Sequence, residues 1–290
     1  MMSSSNNEQF YNSALNGQLS TVKTTMRDPT LDLNWKNPHG FTALAAACSK
    51  DHFDVVEYLL TLPKVDVNLT QQDGLSPLSI AVMRNYQRIV KLLLQDSRTD
   101  LKSAQKEGKT ALFLACHLNK KDIVAMLLED PRVDVNQATE TRVTPFFAAC
   151  QSNSGNICLL MLADSRVDVR HASAFGATPL WIATFGGHTR IVQQLLASGR
   201  DVAIKRKTYP GRDVHNRKTA AELAKLLSTK LQGDREGDEE FSRRKFNAPI
   251  ICTLLEGFER DPVKSRQQLR NNMNVQGETP PPLLRTGCCF

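Results

Sequence analysis

The chain repeats a short motif every 34 residues, and this period constrains its fold more than any other feature of the sequence. The motif begins with a hydroxyl residue, at Thr42, Ser76, Thr110, Thr144 and Thr178. An alanine follows each of them five positions later, at Ala47, Ala81, Ala115, Ala149 and Ala183. Five copies in phase predict an array of similar small units rather than one large globular core.

Each unit carries the signals of two short helices. Ser and Thr are favoured N-cap residues, and in three of the five units Pro takes the first helical position after them. A second apolar phrase, for example Val55-Val56 followed by Leu59-Leu60, predicts the second helix. Between the two helices one column holds Asp51, Asn85, Asn119, Asn153 and Gly187. Asn and Gly tolerate a left-handed conformation, so this column predicts the break between two antiparallel helices.

A third phrase closes the unit, and its alternation in Val65-Asp66-Val67-Asn68 predicts a short extended finger. Together with Thr-Pro-Leu at the helix start, this pattern resembles the ankyrin repeat over about residues 8–230. The same period occurs in tetratricopeptide repeats, but Pro at helix starts and about a dozen non-helical residues per unit favour the ankyrin family. The resemblance implies an all-α repeat solenoid of helix-turn-helix units, each with a β-hairpin finger, and a helical C-terminal cap.

The positions of the repeated motif divide the chain into predicted segments. We expect an N-terminal capping repeat in residues 1–40, five repeats in 41–204 and a last repeat with an extended finger in 205–231. A charged segment, 232–246, is predicted to be mobile because it lacks apolar periodicity. Capping helices are expected in 247–270, opening at Asn247-Ala248-Pro249, and a disordered tail in 271–290.

Two departures from the ankyrin pattern matter. The His that follows Thr-Pro-Leu in the family is replaced in every unit, which puts its inter-repeat hydrogen bonds in doubt. Arg142 stands in a finger column that otherwise holds glycine, for example Gly74 and Gly176. Because a left-handed conformation costs a non-glycine residue about 1–2 kcal/mol, we expect the finger of the fourth unit to be reshaped.

Composition and motif spacing argue against catalysis. The 290 residues are 41% hydrophobic and 23% charged, which is typical of a globular chain and excludes wholesale disorder or a small disulfide scaffold. Among the seven cysteines, Cys48, Cys116 and Cys150 share one helical column and are expected to be small core residues. No metal-ligand spacing, phosphate-binding loop or nucleophile motif is present, so we predict no enzyme, no cofactor and no metal site. The chain has no run of 18 apolar residues and no signal-peptide pattern, and we expect a cytoplasmic or alternatively nuclear protein.

The resemblance also implies where a partner binds, since ankyrin proteins usually use the concave face of fingertips and first helices. The columns of that face give Phe41, Leu75, Met83, Arg84, Lys106, Lys109, Leu118, Phe175 and Phe185. Large apolar residues in columns that should face solvent indicate a partner's footprint. We therefore predict a monomeric, non-catalytic scaffold or adaptor for an unidentified protein partner.

Alternatives come from the ends of the array. Of the net charge of +7, most lies in residues 201–290, with 17 Lys and Arg against 12 Asp and Glu. The basic finger 205–218 and the C-terminal segment could therefore bind nucleic acid or an anionic membrane. Resemblance to hydroxylase substrates suggests modification of Asn68 and Asn136, although support of the hairpin is the plainer interpretation. Palmitoylation of Cys288 and Cys289 is weighed against an incidental tail.

Overall fold

The computed structural model describes residues 2–209, 217–230, 239–277 and 280–281. These residues form helices and turns and contain no β-strand. The chain divides into two compact units, Met1–Gln137 and Ala138–Phe290.

The first unit is built from two layers of short helices. The helices that open each repeat, α1, α3, α5 and α7, pack against one another in succession, and α2, α4, α6 and α8 do the same in a second layer. Their bounds are α1 Met2–Leu15, α2 Leu19–Thr25, α3 Ala43–Ser49, α4 Phe53–Leu60, α5 Pro77–Arg84, α6 Gln87–Gln95, α7 Ala111–His117 and α8 Lys121–Glu129. A single 3₁₀ turn, Lys106–Gly108, lies in the finger before α7.

The helix boundaries follow from the motif. The side-chain oxygens of Thr42 and Thr110 accept the backbone N–H three residues on, each at 3.2 Å, as an N-cap should. After α5 the chain reverses at Asn85, whose φ is 64°. Asp51 and Asn119 take the same left-handed conformation, which confirms the predicted break between the two helices of a repeat.

The core of the first unit consists of small and aliphatic side chains in repeat register. Leu44, Leu78 and Leu112 are each 2% exposed or less, and so are Val56 and Val90. One Leu from the first helix and one Val from the second recur in each repeat, so neighbouring repeats bury the same columns against each other.

The second unit is also built from two layers of helices. Its helices are α9 Pro145–Gln151, α10 Gly155–Ala163, α11 Pro179–Phe185, α12 Thr189–Ala197, α13 Ala220–Lys230, α14 Glu239–Arg260 and α15 Pro262–Val275. The helices α9, α11 and α13 form one layer, α10, α12 and α14 the other, and α15 packs on α12 and α14. At the start of α13, Thr219 Oγ1 accepts from Glu222 N at 3.2 Å and Glu222 Oε2 accepts from Thr219 N at 2.8 Å, a reciprocal capping box.

The fingers are turns and not β-hairpins, so this detail of the prediction is not confirmed. In the second finger Gln71 N donates to Leu75 O at 3.1 Å and Gly74 N to Gln71 O at 2.9 Å. The described residues contain one isolated antiparallel bridge, Ala104 with Thr110. Too few consecutive backbone pairs form to make a strand ladder.

The Val-Asp-Val-Asn phrase is also not extended. Val65 and Val67 are buried, as the alternation predicts, but the carboxylate of Asp66 accepts from Asn68 N at 2.9 Å and bends the chain into a turn.

The finger that carries Arg142 keeps the geometry of the others, so the expectation that it is reshaped is wrong. Arg142 has a φ of 60°, and its N–H donates to Thr139 O at 2.8 Å, as Gly176 N donates to Ser173 O at 2.8 Å. Surrounding repeats determine the turn, and the arginine adopts the left-handed conformation despite its cost.

The helical cap extends beyond its predicted limits at both ends. Helix α14 begins at Glu239, inside the segment 232–246 that was expected to be mobile, and Pro249 lies within it rather than at its start. Helix α15 continues to Val275, past the predicted limit at 270. Residues 231–238 and 282–290 lie outside the described residues.

A close tertiary contact accompanies the early start of α14. A Cβ on Gly187 would lie 3.0 Å from the Cα of Arg244, so the missing side chain leaves room for the first turns of this helix. Asn247 Nδ2 then donates to Gly187 O at 2.8 Å. His188 Nε2, at the start of α12, likewise lies 3.1 Å from the carbonyl oxygen of Gln151, the last residue of α9.

Candidate functional site

In the first unit, two large apolar side chains protrude where the first helices end. Met83, in the last turn of α5, is 41% exposed, and Leu118, directly after α7, is 39% exposed. Arg84 lies beside Met83 in sequence and is exposed. The reversals at Asn85 and Asn119 follow immediately, so these side chains lie at the rim of two consecutive repeats.

The finger residues predicted for the first unit are less open. Phe41 and Leu75 are only partly exposed. Lys106 lies 3.8 Å from the Asp73 carboxylate, in an ion pair that both partners keep largely in solvent.

A closer ion pair holds the remaining predicted finger lysine of this unit. Lys109 Nζ lies 2.7 Å from Glu107 Oε2, and this contact lowers the pKa of the Glu107 carboxyl. The charge of Lys109 is therefore already partnered within its own finger.

In the second unit the most exposed predicted residue is Phe175, with 69% of its surface open. It lies at a fingertip whose backbone joins the next finger, since Tyr209 N donates to Phe175 O at 2.9 Å. The ring of Tyr209 lies over Gly176, 3.2 Å from where a Cβ would be, and remains 46% exposed. Tyr209 is not singled out in the sequence analysis, although it lies 34 residues after Phe175 and inside the basic finger.

Phe185 is a packing residue and not an open anchor, which corrects its place in the predicted surface. Its ring stacks on Trp181 at a centroid distance of 5.4 Å, and the guanidinium of Arg244 lies 4.2 Å from its centroid. Both rings pack against the buried Leu223 and Leu227 of α13. The sequence places Phe185 in a surface column, but the early turns of α14 cover it.

The two predicted hydroxylation sites lie in the turns between repeats. Asn68 Nδ2 donates to Arg98 O at 2.8 Å, and Asn68 Oδ1 accepts from Asp100 N at 2.8 Å. Both ends of this amide therefore bridge to the next repeat rather than within a hairpin, and modification of Asn68 stays a prediction. Asn136 occupies the same position two repeats later and is partly buried.

The cysteines of the described residues are core thiols, apart from the partly exposed Cys252. Cys48, Cys116, Cys150 and Cys158 are buried, and none of them forms a disulfide. Cys150 Sγ lies 3.8 Å from Cys158 Sγ, across the two helices of one repeat. No group of three or more His, Cys, Asp or Glu in the described part of the chain could hold a metal ion. Cys288 and Cys289 lie outside the described residues.

The basic finger is described only in part, because residues 210–216 lie outside the described ranges. Lys205, Arg206 and Lys207 are exposed. Lys207 Nζ pairs with Glu222 Oε1 at 3.2 Å, and the two sides of the finger meet where Thr208 N donates to Lys218 O at 3.3 Å.

A column of arginines between repeats was also missed. Arg98 Nη2 donates to Asp96 Oδ2 at 2.6 Å and to Leu60 O at 2.7 Å, at the end of the preceding repeat's second helix. Arg132 repeats the pattern on Asp130 and Leu94 O. The signal was visible as Asp-x-Arg at the 34-residue period, and its role is to satisfy helix C-terminal carbonyls.

Comparison with known proteins supports this architecture. A family model described as ankyrin repeats, in three copies, matches residues 10–103, 61–139 and 131–208. No curated protein matches the chain. Among the described residues no helix is long and apolar enough to cross a membrane. Ankyrin repeats generally serve as protein–protein interaction modules and are typically non-catalytic. The matched ranges span more than half of the sequence and agree with the observed repeats, and the chain belongs to the ankyrin repeat family.

Proposed function

We propose that the chain is a non-catalytic scaffold or adaptor that binds a protein partner through its fingertips and the ends of its first helices. The observation that carries this proposal is the exposure of Met83 and Leu118 at the ends of consecutive first helices in the first unit. Burial of such large apolar side chains under a partner lowers the free energy of the complex. The exposed Phe175 gives the second unit an anchor of the same kind.

The charges of the predicted surface residues in the first unit fit a protein partner. Arg84 is exposed, whereas Lys106 pairs with Asp73 of the preceding finger and Lys109 with Glu107 of its own finger. An apolar centre with a mixed-charge rim is typical of protein–protein interfaces. Lysines that are already paired with carboxylates differ from the clusters of free Lys and Arg that neutralise phosphates.

The test is quantitative affinity purification of the full chain against a Met83→Glu, Leu118→Glu double variant. We expect the double variant to lose the recovered partner, because two carboxylates would have to be desolvated in the interface. The matched control is Val263→Glu, which introduces the same charge at a residue of α15 that is 75% exposed. Equal partner recovery from the double variant and the wild type, at equal thermal stability, would contradict the proposal.

We also propose that the protein is a monomer and that it is located in the cytoplasm or, alternatively, in the nucleus. The support for the compartment is that the cysteines of the described residues form no disulfide, the state that reducing compartments maintain. Light scattering of the purified chain and imaging of a tagged chain are the measurements. A stable dimer or a secreted pool would contradict these two points.

A further inference from the structure

The second unit exposes two aromatic rings on adjacent fingers, and we call this region the aromatic finger surface. It consists of Phe175, Tyr209 and the basic residues Lys205, Arg206 and Arg217. Phe175 is 69% exposed and Tyr209 is 46% exposed. Both are more exposed than Met83 and Leu118 at the helix ends of the first unit. Apolar side chains that are exposed next to one another, rather than scattered singly, mark interaction sites.

Backbone contacts hold the two rings in a fixed relation. Tyr209 N donates to Phe175 O at 2.9 Å, which joins the two fingertips directly. One edge of the Tyr209 ring rests over Gly176, which has a φ of 79° and no side chain to displace it. The backbones that carry the two rings are therefore joined before a partner binds, and such pre-organisation lowers the entropy lost on binding.

The surface is positively charged along one side. In the described residues 205–209 and 217–218, Lys and Arg occupy five positions and Asp and Glu none. Lys207 is paired with Glu222 at 3.2 Å. Lys205, Arg206 and Arg217 have no carboxylate within ion-pair distance among the described residues, so their charges face solvent.

We propose that the aromatic finger surface binds an acidic peptide segment of a partner protein, one that carries an aromatic or large aliphatic side chain among its carboxylates. This inference rests on the proposed function and specifies the chemistry of the partner. The rings provide a stacking and apolar contact, and the three solvent-facing cations complement the carboxylates. Three such cations would neutralise few phosphates, and phosphate neutralisation supplies most of the affinity of non-specific nucleic-acid binding.

The experiment measures binding of the full chain to three labelled polymers by fluorescence anisotropy. The probes are a random copolymer of glutamate and tyrosine, polyglutamate of the same length and an oligo(dT) of about 20 nucleotides, a length that suits single-strand binding sites. We expect the copolymer to bind roughly tenfold more tightly than polyglutamate, because only it offers rings to Phe175 and Tyr209. Its affinity should fall several-fold between about 50 and 300 mM KCl, because salt screens the carboxylate contacts.

Variants separate the rings from the charges. Phe175→Ala and Tyr209→Ala should each weaken copolymer binding about tenfold, as loss of an aromatic anchor does, whereas Tyr209→Phe should stay within about twofold. A Lys205→Gln, Arg206→Gln double variant should bind weakly and lose most of the salt dependence. The matched charge control is Lys225→Gln, an exposed lysine of α13, which should bind like the wild type.

Each remaining outcome overturns the inference. These outcomes are equal binding of copolymer and polyglutamate, tighter binding of oligo(dT) than of the copolymer, and unchanged binding by Phe175→Ala at wild-type stability. Any of these results excludes an acidic, aromatic peptide as the ligand of this surface. Failure here is distinct from failure of the proposed function, because partner recovery that still depends on Met83 and Leu118 would uphold the proposed function alone.

Discussion

The guanidinium of Arg98 joins the carboxylate of Asp96, two residues before it, to the end of the preceding repeat. The contact to Asp96 Oδ2 is 2.6 Å, and further donor contacts reach Leu60 O at 2.7 Å, Leu62 O at 3.1 Å and Val65 O at 3.2 Å. One side chain thereby satisfies carbonyls at the C-terminus of α4 and in the turn that follows it. This relationship ties neighbouring repeats together through their backbones and does not depend on core packing.

Arg98→Ala should lower the free energy of unfolding by about 1–2 kcal/mol, a moderate loss for charge-assisted hydrogen bonds that remain partly in solvent. The substitution leaves three carbonyl oxygens and the Asp96 carboxylate without their partner. Urea denaturation of the full chain measures the change. Arg84→Ala, at an exposed residue of the same unit, should change stability by less than about 0.5 kcal/mol. Equal effects of the two substitutions would show that the Arg98 contacts contribute nothing specific.

Acid should weaken the same contacts. Arg98 and Arg132 lower the pKa of Asp96 and of Asp130 below the ordinary value, chiefly through hydrogen bonds to the carboxylates. Because the pKa is lower in the folded state than in the unfolded state, the stabilisation is complete above the unfolded pKa and is lost as the pH falls through the folded pKa.

Denaturation curves between about pH 6 and pH 2 should therefore show stability falling below about pH 4, near the ordinary pKa of an aspartate. In an Asp96→Asn, Asp130→Asn double variant, stability at neutral pH should be lower and its loss in acid shallower, so that the curves of variant and wild type converge. Parallel curves over the whole range would contradict the assignment.

Arg142→Gly should stabilise the chain by about 0.5–1 kcal/mol, since glycine removes the cost of a left-handed residue but adds chain entropy to the unfolded state. The turn itself should not change, because Arg142 already forms the same backbone hydrogen bond as the glycines in its column. The reciprocal variant is Gly74→Ala, at a φ of 79° and with a Cβ only 3.2 Å from the Cα of Gln105, which should destabilise. A loss of stability in Arg142→Gly would indicate that the arginine side chain makes a compensating contact.

Gln194→Leu should raise the melting temperature. Gln194 is 0% exposed, and neither its Nε2 nor its Oε1 has a hydrogen-bond partner among the described residues. An unsatisfied buried amide costs about 1–3 kcal/mol, and the same column of the repeat holds Leu92 and Leu160. Scanning calorimetry is the measurement, with Gln193→Leu at the adjacent, partly exposed residue as control. A lower melting temperature would show that the amide is satisfied by buried water.

The candidate surface could be predicted in part. Met83, Leu118 and Phe175 are exposed as their columns indicate, because position within a repeat fixes which way a side chain points. Phe185 could not be predicted correctly, since its covering residue, Arg244, is 59 positions away in a segment without apolar periodicity. Tyr209 lies one 34-residue period after Phe175, so the repeat itself could have indicated it, and the backbone contact between the two residues shows that their fingertips are adjacent.

The sequence by itself determined the repeat length, the N-caps, the helix breaks at Asn85 and its equivalents and the buried columns. These features depend on residues close together in the chain, and the 34-residue period multiplies each weak local preference several times. Only the tertiary structure decided that the fingers are turns, that Arg142 is held in a left-handed conformation and that α14 begins at Glu239. Contacts between distant segments determine those features, and their energies outweigh local propensity.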